Sequence, residues 1–176
     1  MTKHPKGMLF ELPTADEIDS LAITTPSFEV RRFEISLGSK KADLHYTPCK
    51  GQMVLVIMGE KGVALTKDDA SGEWRLPSGR IAILEDAEAA AKRVAKEECG
   101  VTVTSLELSG IYDVVWHYSD ISIKRLHLVY ASVTEDDCWS EAKPGKGREA
   151  KFFREVPQTL LGDEVARAAL ADCSEK

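Results

Sequence analysis

The segment from Gly72 to Val103, GEWRLPSGRIAILEDAEAAAKRVAKEECGVTV, constrains the fold more than any other part of this sequence. Its apolar residues take the 3.6-residue period of a helix between Asp86 and Glu98. Acidic residues suit the start of this helix, and Gly100 stands where a left-handed cap residue ends a helix before the β-branched run VTVT. The segment therefore predicts a loop, a helix and a strand, in that order.

Strand patterns lie on both sides of this helix. Before it come FEVRRFEISLG from Phe28, then ADLHYT, the wholly apolar MVLVIM, and EKGVALT, which continues as a hairpin partner through the turn at Gly59 to Gly62. After it, LELSGIYDVVWHY and ISIKRLHLVYASV predict two long strands, AKFFREV a short one, and QTLLGDEVARAALAD a closing amphipathic helix. This order predicts an α/β protein with a mixed sheet between helices.

The composition fits one globular domain in a reducing compartment. With 176 residues, 43% of them hydrophobic and 30% charged, the chain has the size of one domain plus a short extension. No stretch approaches about eighteen consecutive apolar residues, and the N-terminal MTKHPKGMLFELPTADE is unlike a signal peptide, so we expect a cytoplasmic protein without a membrane partner. The cysteines form no CxxC pair and are expected to be reduced and structural: Cys49, Cys99, Cys138 and Cys173.

The charge of the chain argues against a nucleic-acid partner. The net charge is −6 and the pI is near 5.3, which is the opposite of the basic footprint of a nucleic-acid binder. An anionic substrate would therefore need a cation as mediator.

One carboxylate of the central helix falls in an apolar stripe. At about 100° per residue, Glu98 shares a face with Ala91 and Val94, so it must be exposed by local geometry, paired or bound to a cation. A helix end whose glutamates point at water remains an equal alternative on this feature alone. The preceding LPSG turn can present backbone carbonyls, and a carbonyl with two carboxylates suits Mg²⁺ or Mn²⁺.

At these residues the sequence resembles the Nudix hydrolase family, whose box reads G, five residues, E, seven residues, then R-E-U-x-E-E-x-G-U with U aliphatic. The matching positions are Gly79, Glu85, Arg93, Ala95, Glu97, Glu98, Gly100 and Val101, and Trp74 with Leu76 and Pro77 matches the WxLPxG lead-in. The resemblance extends over roughly residues 50–170. It implies an α/β/α sandwich at residues 50–176 and metal-dependent hydrolysis of a nucleoside diphosphate derivative. Residues 1–49 lie outside the common core of the family, and their own pattern predicts an N-terminal extension with two strands.

Carried over position by position, the resemblance also assigns roles. Glu97 and Glu98 take the two acidic metal-binding positions, and Ser78 would offer the backbone carbonyl that usually comes from glycine. Glu85 and Arg93 take the positions of a structural ion pair that fixes the loop against the helix. A plain surface salt bridge is the alternative for that pair.

The sequence departs from the box at positions that affect the expected catalytic activity of the chain. Val94 stands where the family has a glutamate that binds metal or acts as a base, and loss of a general base lowers a rate by about 10²- to 10⁴-fold. Leu84 and Ala82 replace a frequent glycine and a frequent glutamate. Some members recruit the base from a later loop, and here Glu149 is the preferred candidate, before Glu141 and Asp120.

Further side chains could contact the substrate. Candidate phosphate contacts are Arg75, Arg80 and Lys67 near the helix start and Lys143, Lys146 and Arg148 in the loop KPGKGR, for which a glycine-rich surface turn is the favoured alternative. Trp116, Tyr118 and Trp139 could stack on a base, although aromatic residues on strands more often belong to the core.

Three hypotheses follow. The first is a Mg²⁺- or Mn²⁺-dependent pyrophosphohydrolase, and the second is a catalytically impaired module that binds a nucleotide or diphosphate ligand. The third, compatible with either, is a homodimer formed through the strands of residues 1–49. An isomerase on the same fold would need a cysteine and glutamate pair that the sequence does not place convincingly.

Overall fold

The computed structural model of this chain describes residues 30–41, 51–67, 72–136, 149–160 and 163–174. In chain order the elements are β1 (Val30–Ser36), β2 (Gly51–Gly59), β3 (Gly62–Lys67), β4 (Trp74–Arg75), β5 (Ser78–Ile81), α1 (Ala87–Cys99), β6 (Val103–His117), β7 (Ser122–Thr134), β8 (Ala150–Phe153) and α2 (Asp163–Ser174). The predicted strand ADLHYT and the segment before Val30 lie outside the described residues.

The strands form one mixed sheet. Its order is β1-β6-β7-β2-β3-β4, with β5 paired to β2 and β8 paired to β3. Two pairs are parallel, β1 with β6 and β2 with β7, whereas β6 and β7 form a long antiparallel hairpin. The first strand of the N-terminal extension is therefore part of the sheet. The division of the chain at residue 49 remains a prediction.

Among the described residues, each face of the sheet carries one helix. Met53, Leu55 and Ile57 of β2 pack in the core beneath α1, whereas the alternate residues Val54 and Val56 pack in the core beneath α2. This alternation follows from the two-residue period of a strand. It explains why β2 is apolar throughout, and it confirms the predicted α/β/α sandwich.

The ends of α1 confirm the predicted boundaries. Asp86 caps the helix because its Oδ1 accepts a hydrogen bond from the backbone N–H of Ala89 at 2.7 Å. Gly100 follows the last turn with φ of 69°, in the left-handed region that favours glycine, and its N–H donates to the carbonyl of Lys96 at 2.9 Å. The predicted inward face is buried, and Glu98 lies within it.

Helix α2 is held to the sheet by a polar network. Nη1 of Arg31 in β1 donates to both carboxylate oxygens of Asp172, at 3.1 and 3.0 Å, and the hydroxyl of Tyr112 in β6 donates to the same carboxylate. Burial, together with Asp172, raises the pKa of Tyr112 above its usual range, so this hydroxyl stays a donor. Neither described helix is long and apolar enough to span a bilayer.

The structure differs from the sequence-based expectation at two places. The stretch before α1, predicted as a loop, contains β4 and β5, because its extended backbone completes hydrogen bonds with the edges of β3 and β2. Helix α2 begins at Asp163 rather than Gln158, and Leu160, 3% exposed, is already in the core before the first turn. Cys99 is buried and Cys173 is half-buried, while Cys49 and Cys138 lie outside the described residues.

Candidate active site

A buried ion pair joins α1 to the strands before it. Glu98 is only 3% exposed, and its Oε1 accepts a hydrogen bond from Nη2 of Arg75 at 3.0 Å. Nη1 of Arg75 donates to Oγ of Ser78 at 2.7 Å. The turn between β4 and β5 makes this possible, because it brings Arg75 and Ser78 to the same point over the end of α1. A buried carboxylate needs a cationic partner, and Arg75 supplies it.

A second network fixes the loop that leads into α1. Nε and Nη2 of Arg93 each donate to a carboxylate oxygen of Glu85, both at 2.8 Å. Nη2 also donates to the carbonyl of Arg80 at 2.6 Å, and Nη1 donates to Oε2 of Glu97 at 3.0 Å. Hydrogen bonding to Glu85 is the main reason why the pKa of Arg93 is raised. The loop, the helix and Glu97 are therefore tied to one guanidinium group.

Val94 lies in the core beneath the sheet and is 1% exposed. A β-carbon added at Gly79 would approach Cγ2 of Val94 to 2.9 Å, closer than such atoms normally come. The glycine in β5 and the valine in α1 are thus matched in size. Valine at this position fills space that the adjoining strand leaves for it.

A pocket of about 190 Å³ lies on the α2 side of the sheet, next to this site. Arg75 and Ser78 line one part of it, and the other polar lining residues are Gln52 and His127. The rest of the lining is apolar or aromatic: Ile35, Val54, Leu76, Trp116, Val165 and Ala166. A pocket that is mostly apolar with a few convergent polar groups is the usual form of a small-molecule site.

His127 presents a hydrogen-bond acceptor in this pocket. Burial lowers its pKa to about 4, so the imidazole is neutral. Its Nδ1 lies 3.2 Å from the carbonyl of Arg125, which can only accept, so Nδ1 carries the proton and Nε2 has a free lone pair. The ring also contacts that of Trp116, with centroids 5.4 Å apart. A neutral donor on a ligand could therefore bind at His127.

The structure brings only some of the predicted residues to this site. Arg80 is exposed and contributes its carbonyl, whereas Lys67 lies over the ring of Trp74. Glu149 is exposed directly before β8, and its carbonyl accepts from the backbone N–H of Lys67 at 2.9 Å. The following predicted residues lie outside the described ranges: Trp139, Glu141, Lys143, Lys146 and Arg148.

Two polar lining residues were absent from the sequence-based predictions. Gln52 of β2 and His127 of β7 are paired in the sheet. The sequence pattern of each strand alone did not indicate that these two polar side chains would line a common pocket. Trp116, expected either in the core or on a base, lines the pocket. Asp120 lies in the turn between β6 and β7, and Tyr118 donates its backbone N–H to Ile121 in that same turn.

The comparison with known families identifies the family of this chain. Residues 48–171 match the family profile described as the NUDIX domain, which is well over half of the chain. This chain belongs to the Nudix family. No curated protein sequence is significantly similar to it.

Solved Nudix structures share the fold at low sequence identity. A variant of the Bacillus subtilis pyrophosphohydrolase BsRppH is 20% identical, with a TM-score of 0.52, and the match covers 76% of this chain and 87% of that one. An ADP-ribose pyrophosphatase from Streptococcus suis is 18% identical, with a TM-score of 0.53 and coverage of 70% and 88%. The NUDIX domain of Shewanella oneidensis NrtR, complexed with ADP ribose, is 15% identical, with a TM-score of 0.50 and coverage of 70% and 85%.

Oxygen donors near the end of α1 are the groups that could hold one hard divalent cation. Glu97 and Glu98 at the end of α1, with the backbone carbonyl of Ser78, offer the oxygen donors that Mg²⁺ and Mn²⁺ prefer. Within the described ranges no three acidic, histidine or cysteine side chains gather into a metal site. Water and substrate oxygens would have to complete the coordination, as is usual for Mg²⁺.

Proposed function

We propose that this chain hydrolyses the pyrophosphate bond of a nucleoside diphosphate derivative and requires Mg²⁺ or Mn²⁺ to do so. The observation that carries the proposal is the buried carboxylate of Glu98, which meets Arg75 beside a pocket of about 190 Å³. Oxygen donors, a guanidinium group and a largely apolar pocket within one site suit a substrate that is anionic at one end and organic at the other. Family membership supports this reading.

The proposed roles of the site residues follow from their positions. Glu97, Glu98 and the carbonyl of Ser78 would hold the cation, which supplies charge neutralisation of the diphosphate and activation of a water molecule. Arg75 would bind a phosphate oxygen, with Arg80, Lys146 and Arg148 as further candidates. These roles are proposals, and the contacts that support them are those of Arg75 with Glu98 and Ser78.

The organic part of the substrate would occupy the pocket. Trp116 offers an aromatic surface, and His127 offers an acceptor for an N–H or O–H group. The ADP-ribose pyrophosphatase and the ADP-ribose complex among the related folds suggest ADP-ribose as one compound to test. The Glu85–Arg93 pair would hold the loop in place without touching the substrate.

A second function is favoured by one observation. Val94 is 1% exposed and packed against Gly79, so the position that usually carries a glutamate belongs to the core. A protein with this change could bind a nucleotide or diphosphate ligand without cleaving it. Both functions use the same pocket, and product formation separates them.

The deciding experiment is a turnover assay with matched variants. The wild-type chain is incubated with ADP-ribose, NADH, dinucleoside polyphosphates and nucleoside triphosphates in Mg²⁺, Mn²⁺ or EDTA. We expect metal-dependent cleavage that is lost in Glu98→Gln and kept in Glu88→Gln, an isosteric change at an exposed position of the same helix. Cleavage in EDTA would contradict the proposal, and binding without product in any metal would favour the binding module.

The general base is tested separately. We propose Glu149, because it is exposed directly before β8, where its backbone carbonyl accepts a hydrogen bond from Lys67. Glu149→Gln should lower kcat by about 10²- to 10⁴-fold with little change in KM, as loss of a general base does. An unchanged kcat would shift the role to Asp120 or Glu141, which Asp120→Asn and Glu141→Gln test in the same assay. The cytoplasmic location and the homodimer also remain proposals.

A further inference from the structure

Arg75 makes contacts in two directions. Its Nη2 and Nη1 bind Glu98 and Ser78, at 3.0 and 2.7 Å, while the same side chain lines the pocket on the α2 side of the sheet. Its Nε is buried and has no hydrogen-bond partner among the described residues. A buried donor without a partner is unfavourable, so a rearrangement of Arg75 that brings this group to an acceptor would gain a bond.

Arg75 and a divalent cation would compete for the carboxylate of Glu98. A bound Mg²⁺ lies about 2.1 Å from its oxygen ligands, whereas Nη2 lies 3.0 Å from Oε1. The two positive charges would then be only a few ångströms apart in a site where the side chains of Arg75 and Glu98 are 16% and 4% exposed. Repulsion at that separation is strong where water is largely excluded. The two cations therefore compete, and binding of a metal ion favours the state in which Arg75 has left Glu98.

We propose that Arg75 is an exchangeable cation that neutralises Glu98 until a divalent metal ion replaces it, and that a phosphate group in the adjacent pocket takes up the released guanidinium. The inference rests on the proposed function, because it assigns metal binding to Glu98. It makes metal and phosphate bind cooperatively, since each favours the state in which Arg75 has left Glu98.

Metal affinity tests the first half of the exchange. Mn²⁺ is titrated into the wild-type chain and the variants, and free Mn²⁺ is measured by its electron paramagnetic resonance signal. Arg75→Gln should bind Mn²⁺ about tenfold or more tightly than the wild type, within the range of couplings between two sites. Glu98→Gln and the double variant Arg75→Gln/Glu98→Gln should both bind weakly. Equal affinity in Arg75→Gln and the wild type would overturn the proposal.

A charge control accompanies this titration. Lys92→Gln removes one positive charge from an exposed position of α1 without touching Glu98. If Lys92→Gln gains as much Mn²⁺ affinity as Arg75→Gln, the effect is general electrostatics and the exchange is refuted. Thermal unfolding gives a second readout: Arg75→Gln should melt lower than the wild type in EDTA and recover in Mn²⁺, because the ion then supplies the partner of Glu98.

A variant that keeps the positive charge covers the case in which Arg75→Gln does not fold. Lysine retains the charge and loses the paired geometry of guanidinium, so Arg75→Lys should fold and bind Mn²⁺ with an affinity above that of the wild type. An affinity of Arg75→Lys equal to or below that of the wild type would count against the exchange.

Anion affinity without metal tests the second half. Inorganic pyrophosphate is titrated in EDTA by calorimetry. Glu98→Gln should bind it several-fold more tightly than the wild type, because Arg75 no longer has to leave a carboxylate. The gain should vanish in the double variant and be absent from Glu88→Gln. A gain that persists in the double variant would show that Arg75 is not the anion's partner.

Turnover separates this inference from the proposed function. If Arg75→Gln binds Mn²⁺ more tightly but the wild type cleaves no substrate, the exchange stands and hydrolysis fails. If the wild type hydrolyses substrates with metal while the affinity of Arg75→Gln is unchanged, hydrolysis stands and the exchange fails.

Discussion

At the scale of single residues, His127 gives the clearest dependence on pH. Its pKa is lowered to about 4 by burial, against an ordinary value of 6.5. Between these values the unfolded chain binds a proton that the folded His127 does not accept, so the free energy of unfolding falls as the pH falls from about 6.5 to about 4. Over this range the free energy of unfolding falls by about 3 kcal/mol in total.

The substitution His127→Gln removes this dependence of stability on pH, because glutamine does not titrate. We expect the free energy of unfolding of the wild type, relative to that of the variant, to fall by about 3 kcal/mol from neutral pH towards pH 4. Urea denaturation of both proteins at several pH values measures it. Other titrating groups are common to both chains and cancel in the comparison. A difference that does not change with pH would mean that His127 titrates normally.

The Glu85–Arg93 pair predicts an effect on activity without a role in chemistry. Two hydrogen bonds of 2.8 Å and the bond from Arg93 to Glu97 place a proposed metal ligand through one guanidinium group. Glu85→Gln should lower turnover by about 10- to 100-fold, because small misplacements are costly at a reacting centre. Its stability should fall by only about 1 kcal/mol, because the pair is partly exposed.

Activity and thermal unfolding of Glu85→Gln are compared with those of Glu88→Gln, which makes the same chemical change one turn away at an exposed position. If Glu85→Gln behaves like Glu88→Gln in both measurements, the pair is an ordinary surface salt bridge and the loop is held by other contacts.

At the scale of elements, β5 and α1 are matched through Gly79 and Val94. A β-carbon at residue 79 would lie 2.9 Å from Cγ2 of Val94, and the short side chain of valine cannot move away. Gly79→Ala should therefore destabilise the protein by about 1 to 3 kcal/mol, as overpacking does. Adding Val94→Ala makes room for the methyl group.

The double variant Gly79→Ala/Val94→Ala should be more stable than the sum of the single changes predicts, by about 1 kcal/mol. Denaturant unfolding of the four proteins gives this coupling directly. Additive effects would mean that β5 and α1 adjust independently, and the size match would then not explain the glycine.

The elements that could be predicted from the sequence are those with a regular period and a distinct end. Helix α1 has both, from the cap at Asp86 to Gly100, and the apolar run of β2 is long enough to indicate a strand covered on both sides. Strands β4 and β5 have two and four residues, which is too short for a period to show. Their existence depends on partners in β3 and β2 that are distant in sequence.

The same distinction applies to the site. The apolar stripe of α1 predicted that Glu98 needs a partner, because that requirement is local to the helix. The identity of the partner was not predictable, because Arg75 lies 23 residues earlier and reaches Glu98 only through the turn between β4 and β5. Gln52 and His127 were missed for the same reason: the pocket gathers side chains that are far apart in sequence.

At the scale of the whole molecule, the edge strand β1 is relevant to the formation of a homodimer. Among the described strands, β1 is the last at one end and pairs only with β6. In a parallel pair, the N–H and C=O groups of alternate residues point away from the partner strand, so such an edge can pair with another chain. The homodimer proposed from the sequence would use this edge.

We therefore expect a mass of twice 19.4 kDa in light scattering at high concentration, falling towards the monomer on dilution. Amide hydrogen exchange locates the contact: alternate amides of Val30–Ser36 should gain protection as the concentration rises, whereas those of the β6–β7 hairpin should not change. A dimer with unchanged protection in β1 would place the interface elsewhere. A monomeric mass at high concentration would mean that this edge does not pair with a second copy.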